Sequence, residues 1–473
     1  MKTIAIIGAG FCGTALAVHL LRRPPVTPLD VVLINRSGLM ARGVAYGTRT
    51  NSHVLNVPAA RMGALPGEED GFLQFARRQD PKVNGASFVA RRCYGDFLEA
   101  LLAEAAVRAP SGARFRAVVG DVNRIVPLAD GGARVLLGNG DAIQADKVVL
   151  SMGNYAPGDP PVAAGQRAFY SSPRYVANPW RPDALWVVKP DQPVLLIGTG
   201  LTMLDIVLDL RDRGHAAPIY ALSRRGLMPQ PHRDLETPPV YDEQLPRRMF
   251  ALPTARNYLA AVRAAVGIHE RAGGDWRDVI GALRAVTPQL WQSLPLAERQ
   301  RFLRHVRPYW ETHRHRCAPA LGRRLQAEVD SGGLQLIAGR LVAYDERPDA
   351  VTVHYTRRGG QAESLRVGTV INCTGPDGDT RKLRDPLIAG LREDGLLRAD
   401  RLGLGFEVDD GYALRDHDGV ATPWLHYVGP FLKYRDWEAT AVPELRKHVA
   451  ALAAVLQRDL GSRAPGGIAG FAS

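Results

Sequence analysis

The sequence predicts an α/β fold made of two dinucleotide-binding (Rossmann-like) domains, one of which carries a helical insert. Three features predict it. Two glycine-rich turns stand 190 residues apart. The first is Ile4-Ala5-Ile6-Ile7-Gly8-Ala9-Gly10-Phe11-Cys12-Gly13, and the second is Val194-Leu195-Leu196-Ile197-Gly198-Thr199-Gly200-Leu201-Thr202-Met203. Each follows an apolar run with the character of a buried strand, and each opens a segment of helical periodicity. One glycine turn is weak evidence, whereas two in the same strand–turn–helix setting suggest two dinucleotides and electron transfer between them.

The elements follow in order. A helix is expected from the first turn to about Arg23, then a strand over Asp30–Asn35. Phe88–Phe97 opens a helix whose aromatics have core spacing. Strands are expected at Arg114–Val126, Ala133–Leu137 and Ala142–Leu150, joined by the hairpin turns Asp130-Gly131-Gly132 and Asn139-Gly140-Asp141. Tyr155–Pro193, rich in proline, reads as a linker. The plan then repeats with a helix to about Arg213, a strand over Pro218–Ser223, and strands at Leu334–Asp345, Ala350–Tyr355 and Ser364–Asn372. Residues 240–330 are helical in pattern and exceed what a nucleotide fold requires. Trp424–Gly429 reads as a strand, Val442–Leu460 as a helix, and Gly461–Ser473 as a frayed tail.

With 473 residues, 46% hydrophobic and 23% charged, the chain can build two or three ordinary cores. No apolar run reaches the roughly 20 residues that span a bilayer, and no signal-peptide layout precedes the first strand. The expectation is a cytoplasmic protein with no membrane partner. The four cysteines, Cys12, Cys93, Cys317 and Cys373, form no CxxC pair, so neither a disulfide framework nor a structural zinc is expected. The net charge of +12 comes from scattered arginines rather than one basic face, which argues against nucleic acid.

The first turn has the logic of a pyrophosphate site. Gly8 permits the tight turn, Gly10 lets the backbone approach phosphate, and Gly13 lets the helix pack on the strand. The strand end 22 residues after Gly13 commonly carries an acid for a ribose, and here it is Asn35. In the second turn Met203 replaces the third glycine. The strand after it ends Ser223-Arg224-Arg225, where arginines suit a 2′-phosphate and so NADPH, unless they are solvent-facing charge. The stretch Met40–Gly47 with Val54–Pro58 either lines a cofactor or is only a glycine-rich connection. In Tyr309–Cys317, His313 and His315 stand two apart and share no helix face, so no metal is expected. Neither GxSxG nor HExxH occurs, so the chemistry is expected to come from cofactors.

These residues resemble the YdhS-like FAD/NAD(P)-binding protein family, which is related to class B flavin monooxygenases and amino-acid N-monooxygenases. The resemblance is carried by Gly8–Gly13, Arg42–Tyr46, Leu55–Met62, Arg91–Phe97, Gly198–Asp205, Trp310–Arg316, Asn372–Gly375 and Trp437–Arg446. It implies a glutathione-reductase/flavin-monooxygenase type of fold. FAD would lie at the first turn, with Arg42, Gly43, Tyr46 and Asn56 along it, and Gly429, Trp437 and Thr440 at the flavin end. NADPH would lie at Gly198, Gly200 and Thr202, with Arg224 and Arg225. Gly153 and Gly375 would mark the crossings between domains. Residues 1–160 and 376–473 would form the FAD domain and 161–375 the NADPH domain, with the insert at about 240–330. Asn35 departs from the family's usual Glu.

The implied activity is that of an NADPH-dependent, single-component flavin monooxygenase. It would oxygenate a small amine or amino acid with O2 through a C4a-peroxyflavin. A flavin reductase or dehydrogenase without oxygen insertion, or a non-catalytic FAD-binding protein, fits the same residues. No acid–base side chain is singled out.

Overall fold

The computed structural model describes residues 1–234 and 243–461, so the expected tail beyond Gly461 falls outside it. The strands are β1 Lys2–Ile7, β2 Leu29–Asn35, β3 Ala113–Val119, β4 Val122–Pro127, β5 Ala133–Leu137, β6 Ala142–Ala145, β7 Lys147–Leu150 and β8 Tyr175–Val176. They continue with β9 Val194–Ile197, β10 Ile219–Ser223, β11 Leu334–Glu346, β12 Val351–Arg357, β13 Ala362–Val367, β14 Thr369–Asn372, β15 Ala413–Arg415 and β16 Ala421–Tyr427. One sheet has the order β15-β16-β7-β1-β2-β3 and the other β13-β12-β11-β10-β9-β14-β8, while β4-β5-β6 form a small third sheet.

The first sheet is parallel from β16 to β3, and the second from β11 to β8. Parallel strands covered on both faces must be apolar throughout. Accordingly Ile4, Ala5, Ile6, Val31 and Val32 are wholly buried, as are Val194 and Leu196. The helix Phe11–Arg22 packs beside the helix Val442–Gly461, joining the two ends of the chain in one core. In each sheet the strand before a glycine turn has its sequence neighbour on one side and a much later strand on the other. β1 lies between β2 and β7, and β9 between β10 and β14. Each turn therefore sits at the carboxyl end of a topological switch point, where open α/β sheets bind ligands.

Three expected strands are each divided in two. Arg114–Val126 breaks at Gly120-Asp121, Ala142–Leu150 at Asp146, and Ser364–Asn372 at Gly368. At Asp146 the carboxylate accepts from Lys2 Nζ (2.6 Å) and Thr3 N (2.8 Å), turning the chain from the small sheet into the parallel one. At Gly368 a Cβ would come within 2.4 Å of the Gln192 side chain. Sequence periodicity registers neither the changes of sheet at Gly120 and Asp146 nor the step at Gly368 from the edge of the second sheet to the strand beside β9, because apolar residues continue to recur through each break. The Tyr155–Pro193 linker is also more than a linker, since β8 within it adds an edge strand beside β14.

Helices between Gln244 and Arg314 form the insert, with a core of Leu245, Met249, Tyr258, Trp291 and Phe302. The helix Pro319–Asp330, expected within the insert, instead buries Leu321 and Leu325 in the second sheet's core. It is the ordinary crossover from β10 to β11, so the extra structure ends near Arg314.

Candidate functional site

The first glycine turn is built for close approach. Gly8 has φ +107°, and a Cβ there would stand 2.8 Å from Ser151 O. A Cβ on Gly13 would lie 1.9 Å from Gly8 O, so only glycine lets this helix meet its strand. Ser151 Oγ, at the end of β7, donates to Gly8 O (2.6 Å) and Ile7 O (3.1 Å), pinning the turn from the neighbouring strand. Gly10 caps the helix with no side-chain bond and no acid in the first turn, so the first amides remain available to an anion. Gly43, at φ +56°, brings a second backbone onto the same spot, and its Cβ would lie 3.1 Å from Gly10 Cα.

Side chains expected around this turn divide into two sets. Asn35 donates both amide hydrogens to its own loop, to Ser37 Oγ (3.0 Å) and Leu39 O (2.8 Å), which leaves its carbonyl oxygen to accept. Arg42, expected along the cofactor, directs its guanidinium to Glu99 (2.6 and 2.7 Å) and Asp96 (2.5 Å). Its side chain props the loop, and the backbone at Gly43 is what approaches the turn. Tyr46 packs edge-on against the buried Tyr94, with ring centres 4.6 Å apart. Gly153 is exposed beyond β7. Gly429 lies beside Met152, and a Cβ there would be 2.5 Å from the Tyr427 hydroxyl and 3.0 Å from Met152 O. Thr440 is exposed just before the helix Val442–Gly461.

Trp437, expected at the flavin end, is buried among aromatic rings of the insert. Its ring is 3% exposed, 4.6 Å from Trp291 and 5.4 Å from Phe302, inside the core of the insert. It anchors the insert to the C-terminal segment. The next residue, Glu438, completes that anchor from a backbone at φ +84°, rare outside glycine. Glu438 accepts from Trp310 Nε1 (2.7 Å) and lies 3.3 Å from both Arg314 Nε and His315 Nε2. Burial opposes its ionisation, but His315 and Arg314 prevail and hold its carboxyl well below the usual range.

The second turn repeats the geometry of the first. Gly198 has φ +108°, and a Cβ would lie 2.4 Å from Cys373 O at the end of β14. Gly200 is exposed and caps the helix Leu201–Asp212 without a side-chain bond or a first-turn acid. Thr202 is half-buried in that first turn, and Met203 is wholly buried. Gly375, at φ +84°, has open space where a Cβ would sit. Thr199 Oγ1 lies 2.9 Å from Ser223 Oγ and donates to Leu227 O (2.6 Å), while Gly226 N donates to Ser223 Oγ (3.0 Å). This network holds Arg224 and Arg225 beside the glycine turn.

The two strand ends differ in charge. After β2, Arg36 is neutralised by Asp385 (3.0 Å) and Asp121 (3.6 Å). After β10, Arg225 has no carboxylate partner among the described residues. It lies 5.5 Å over the Tyr309 ring and donates to Arg304 O (3.2 Å). Among the described residues, then, the arginine after β2 is paired with carboxylates and Arg225 after β10 is not.

Contacts between the two units lie beside Asn56, and sequence reasoning missed most of them. His232 Nε2 lies 3.1 Å from Asn56 O. Arg91 Nη2 meets the buried Asp205 at 2.8 Å and spreads over Trp180. Burial pushes the Asp205 carboxyl up to about 6 against the pull of Arg91. No local pattern links residues 114 positions apart. A 590 Å³ cleft lined by Arg174, Lys189, Glu346 and Arg347 lies at the start of β14, the opposite strand end, outside this site.

No curated protein matches the sequence at a significant level. Residues 5–155 match the family model described as FAD-NAD(P)-binding. That segment runs from within β1 past the end of β7 and includes the first glycine turn. Among solved structures, the chain is similar to L-lysine 6-monooxygenase from Pseudomonas syringae, at 18% identity and TM-score 0.65, covering 97% of this chain and 99% of that one. The ornithine N-hydroxylase of Kutzneria sp. 744 aligns at 15% identity and TM-score 0.63, over 96% and 99% of the two chains. Thioredoxin reductase of T. acidophilum aligns at 12% identity and TM-score 0.52, over 98% and 100%. These likenesses establish the fold, an α/β arrangement of Rossmann-like dinucleotide-binding domains. Among the described residues no helix is long and apolar enough to cross a membrane.

Proposed function

We propose that this chain is an FAD-dependent oxidoreductase using NADPH, a single-component flavin monooxygenase acting on a small amine or amino acid in the cytoplasm. One contrast carries the reading: two open glycine turns lie at switch points, and among the described residues the arginine after β2 is paired with carboxylates whereas Arg225 after β10 is not. The cradle fits a dinucleotide, because side chains are excluded at Gly8, Gly13 and Gly198 where a pyrophosphate needs bare backbone. The match of residues 5–155 supports FAD at the first turn, and the lysine and ornithine hydroxylase folds support the substrate class. The narrower YdhS-like assignment rests on the motifs alone.

In this reading Gly8, Gly10, Gly13 and the Gly43 backbone hold the FAD pyrophosphate, and the Asn35 carbonyl oxygen accepts from the adenosine ribose. Asn56, Gly153, Gly429 and Thr440 border its ring end. Gly198, Gly200, Thr202, Arg224 and Arg225 hold NADPH, with Gly375 at the crossing. Residues 1–160 and 376–473 form the FAD domain and 161–375 the NADPH domain. FAD supplies two-electron transfer from NADPH and the activation of O2, so that one oxygen atom enters substrate and the other leaves as water. The chain itself orients both nucleotides and excludes water, and the insert closes the ring end through Trp437 and Glu438.

The test is product analysis. Purified protein is incubated with FAD, NADPH, O2 and a panel of amines and amino acids, and N-hydroxylated product is counted against NADPH consumed. A coupled product is expected. Stoichiometric hydrogen peroxide with no product across the panel points to a flavin reductase, and a colourless protein that takes up no FAD removes the enzyme reading.

A further inference from the structure

We infer that the helical insert completes the NADPH site: Tyr309 is a positioning residue that holds Arg225 ready for the 2′-phosphate. The inference rests on the NADPH reading above. An exposed arginine ordinarily samples many rotamers, and ordering it on ligand arrival costs binding energy. Here the order is built in. The turn carrying Arg225 is closed by Ser223, Thr199 and Gly226. The guanidinium rests on the Tyr309 ring at 5.5 Å and donates to Arg304 O at 3.2 Å. A ring and a carbonyl hold a guanidinium in place without neutralising it, as a carboxylate would. The positive charge stays available to a phosphate dianion.

Tyr309 is itself held from the far side of its helix. Trp310 and Arg314, on the same helix Arg307–Arg314, are tied to Glu438 of the C-terminal segment. One short helix thus touches the arginine of the second site through Tyr309 and the C-terminal segment through Trp310 and Arg314. The insert, extra to a nucleotide fold, selects the reductant by fixing an arginine the fold already carries.

The experiment compares Arg225→Ala, Tyr309→Ala, Tyr309→Phe and the double variant R225A/Y309A in the full-length protein. Titration calorimetry with NADP+ and with NAD+ is the readout, beside KM and kcat for NADPH. Tyr309→Ala should weaken NADP+ binding about three- to tenfold and leave NAD+ unchanged, with KM for NADPH rising and kcat constant. Tyr309→Phe keeps the ring and should bind NADP+ like the native chain. The double variant should be no weaker than Arg225→Ala alone. If Arg225→Ala loses NADP+ preference while Tyr309→Ala keeps it, the positioning role is wrong and the NADPH reading stands. If Arg225→Ala itself leaves the NADP+ to NAD+ ratio unchanged, the 2′-phosphate reading fails. Tyr309 is 38% exposed, so its loss should leave folding and FAD content intact, which circular dichroism and flavin absorbance check.

Discussion

At Gly10 and Gly13 the same substitution should have two different outcomes. A Cβ at Gly13 meets Gly8 O at 1.9 Å, and backbone on both sides must move. Gly13→Ala should therefore lose more than about 2 kcal/mol of stability along with FAD. A Cβ at Gly10 comes no nearer than 3.8 Å to Gly43 Cα, and Gly10 has an ordinary φ of −86°. Gly10→Ala should fold with a near-native Tm yet take up FAD poorly, because the methyl occupies the anion's approach. Thermal melts paired with flavin absorbance decide, and equal Tm losses in both variants would contradict the distinction. Both glycines are legible in the sequence, but the reason each is needed is not. The 1.9 Å contact depends on how the helix lies on β1. Arg42 shows the same limit: a motif residue is visible, yet its guanidinium turns to Asp96 and Glu99 instead of the turn.

Among elements, the insert is held to the C-terminal segment at Trp437 and Glu438. Glu438 is 4% exposed and faces Arg314, His315 and the Trp310 indole, so Glu438→Gln leaves buried positive charge uncompensated. Breaking such a pair costs roughly 3–5 kcal/mol. The insert should loosen first. Limited proteolysis of Glu438→Gln is expected to cut within residues 243–314 while the two sheets stay protected. Simultaneous digestion of the whole chain would show that the insert has no separate stability. Lys433 is part of the same joint, its ammonium lying 4.4 Å over the Trp437 ring, and burial lowers it to about 8. Helical periodicity revealed the insert but not its limits, because the helix Pro319–Asp330 has the same amphipathic pattern and differs only in what it packs against.

For the whole molecule, buried imidazoles set the response to acid. Burial, with Arg91 adding, lowers His53 to about 4, and burial with Lys147 lowers His426 to about 3. Both bases are neutral in the fold, so the unfolded chain binds more protons between those values and about 6.5. Their contribution is complete above about pH 6.5 and is lost as pH falls through the folded values, up to roughly 3 kcal/mol for His53 and roughly 5 kcal/mol for His426. Asp205, raised to about 6, works the other way: its contribution is complete below about pH 4 and is lost as pH rises to 6. Two larger shifts outweigh one smaller, so Tm should fall from pH 7 to pH 4.5, and His426→Asn should flatten the slope. A Tm that rises on acidification would reverse the assignment. Asp205→Asn should raise stability near pH 7 relative to pH 4.5, because it removes the opposing group.

The two strand–turn–helix units, the positions of bare backbone and the arginine pair after β10 are all legible along the chain. These are local consequences of glycine, apolar runs and charge within about thirty residues. Which cations meet a carboxylate, among the described residues, is settled by folding. Arg36 is cancelled by Asp385, 349 residues away, and Arg225 is held by a ring from the insert instead of a carboxylate. Charge compensation depends on which distant groups come within a few ångströms, and no spacing along the chain records that.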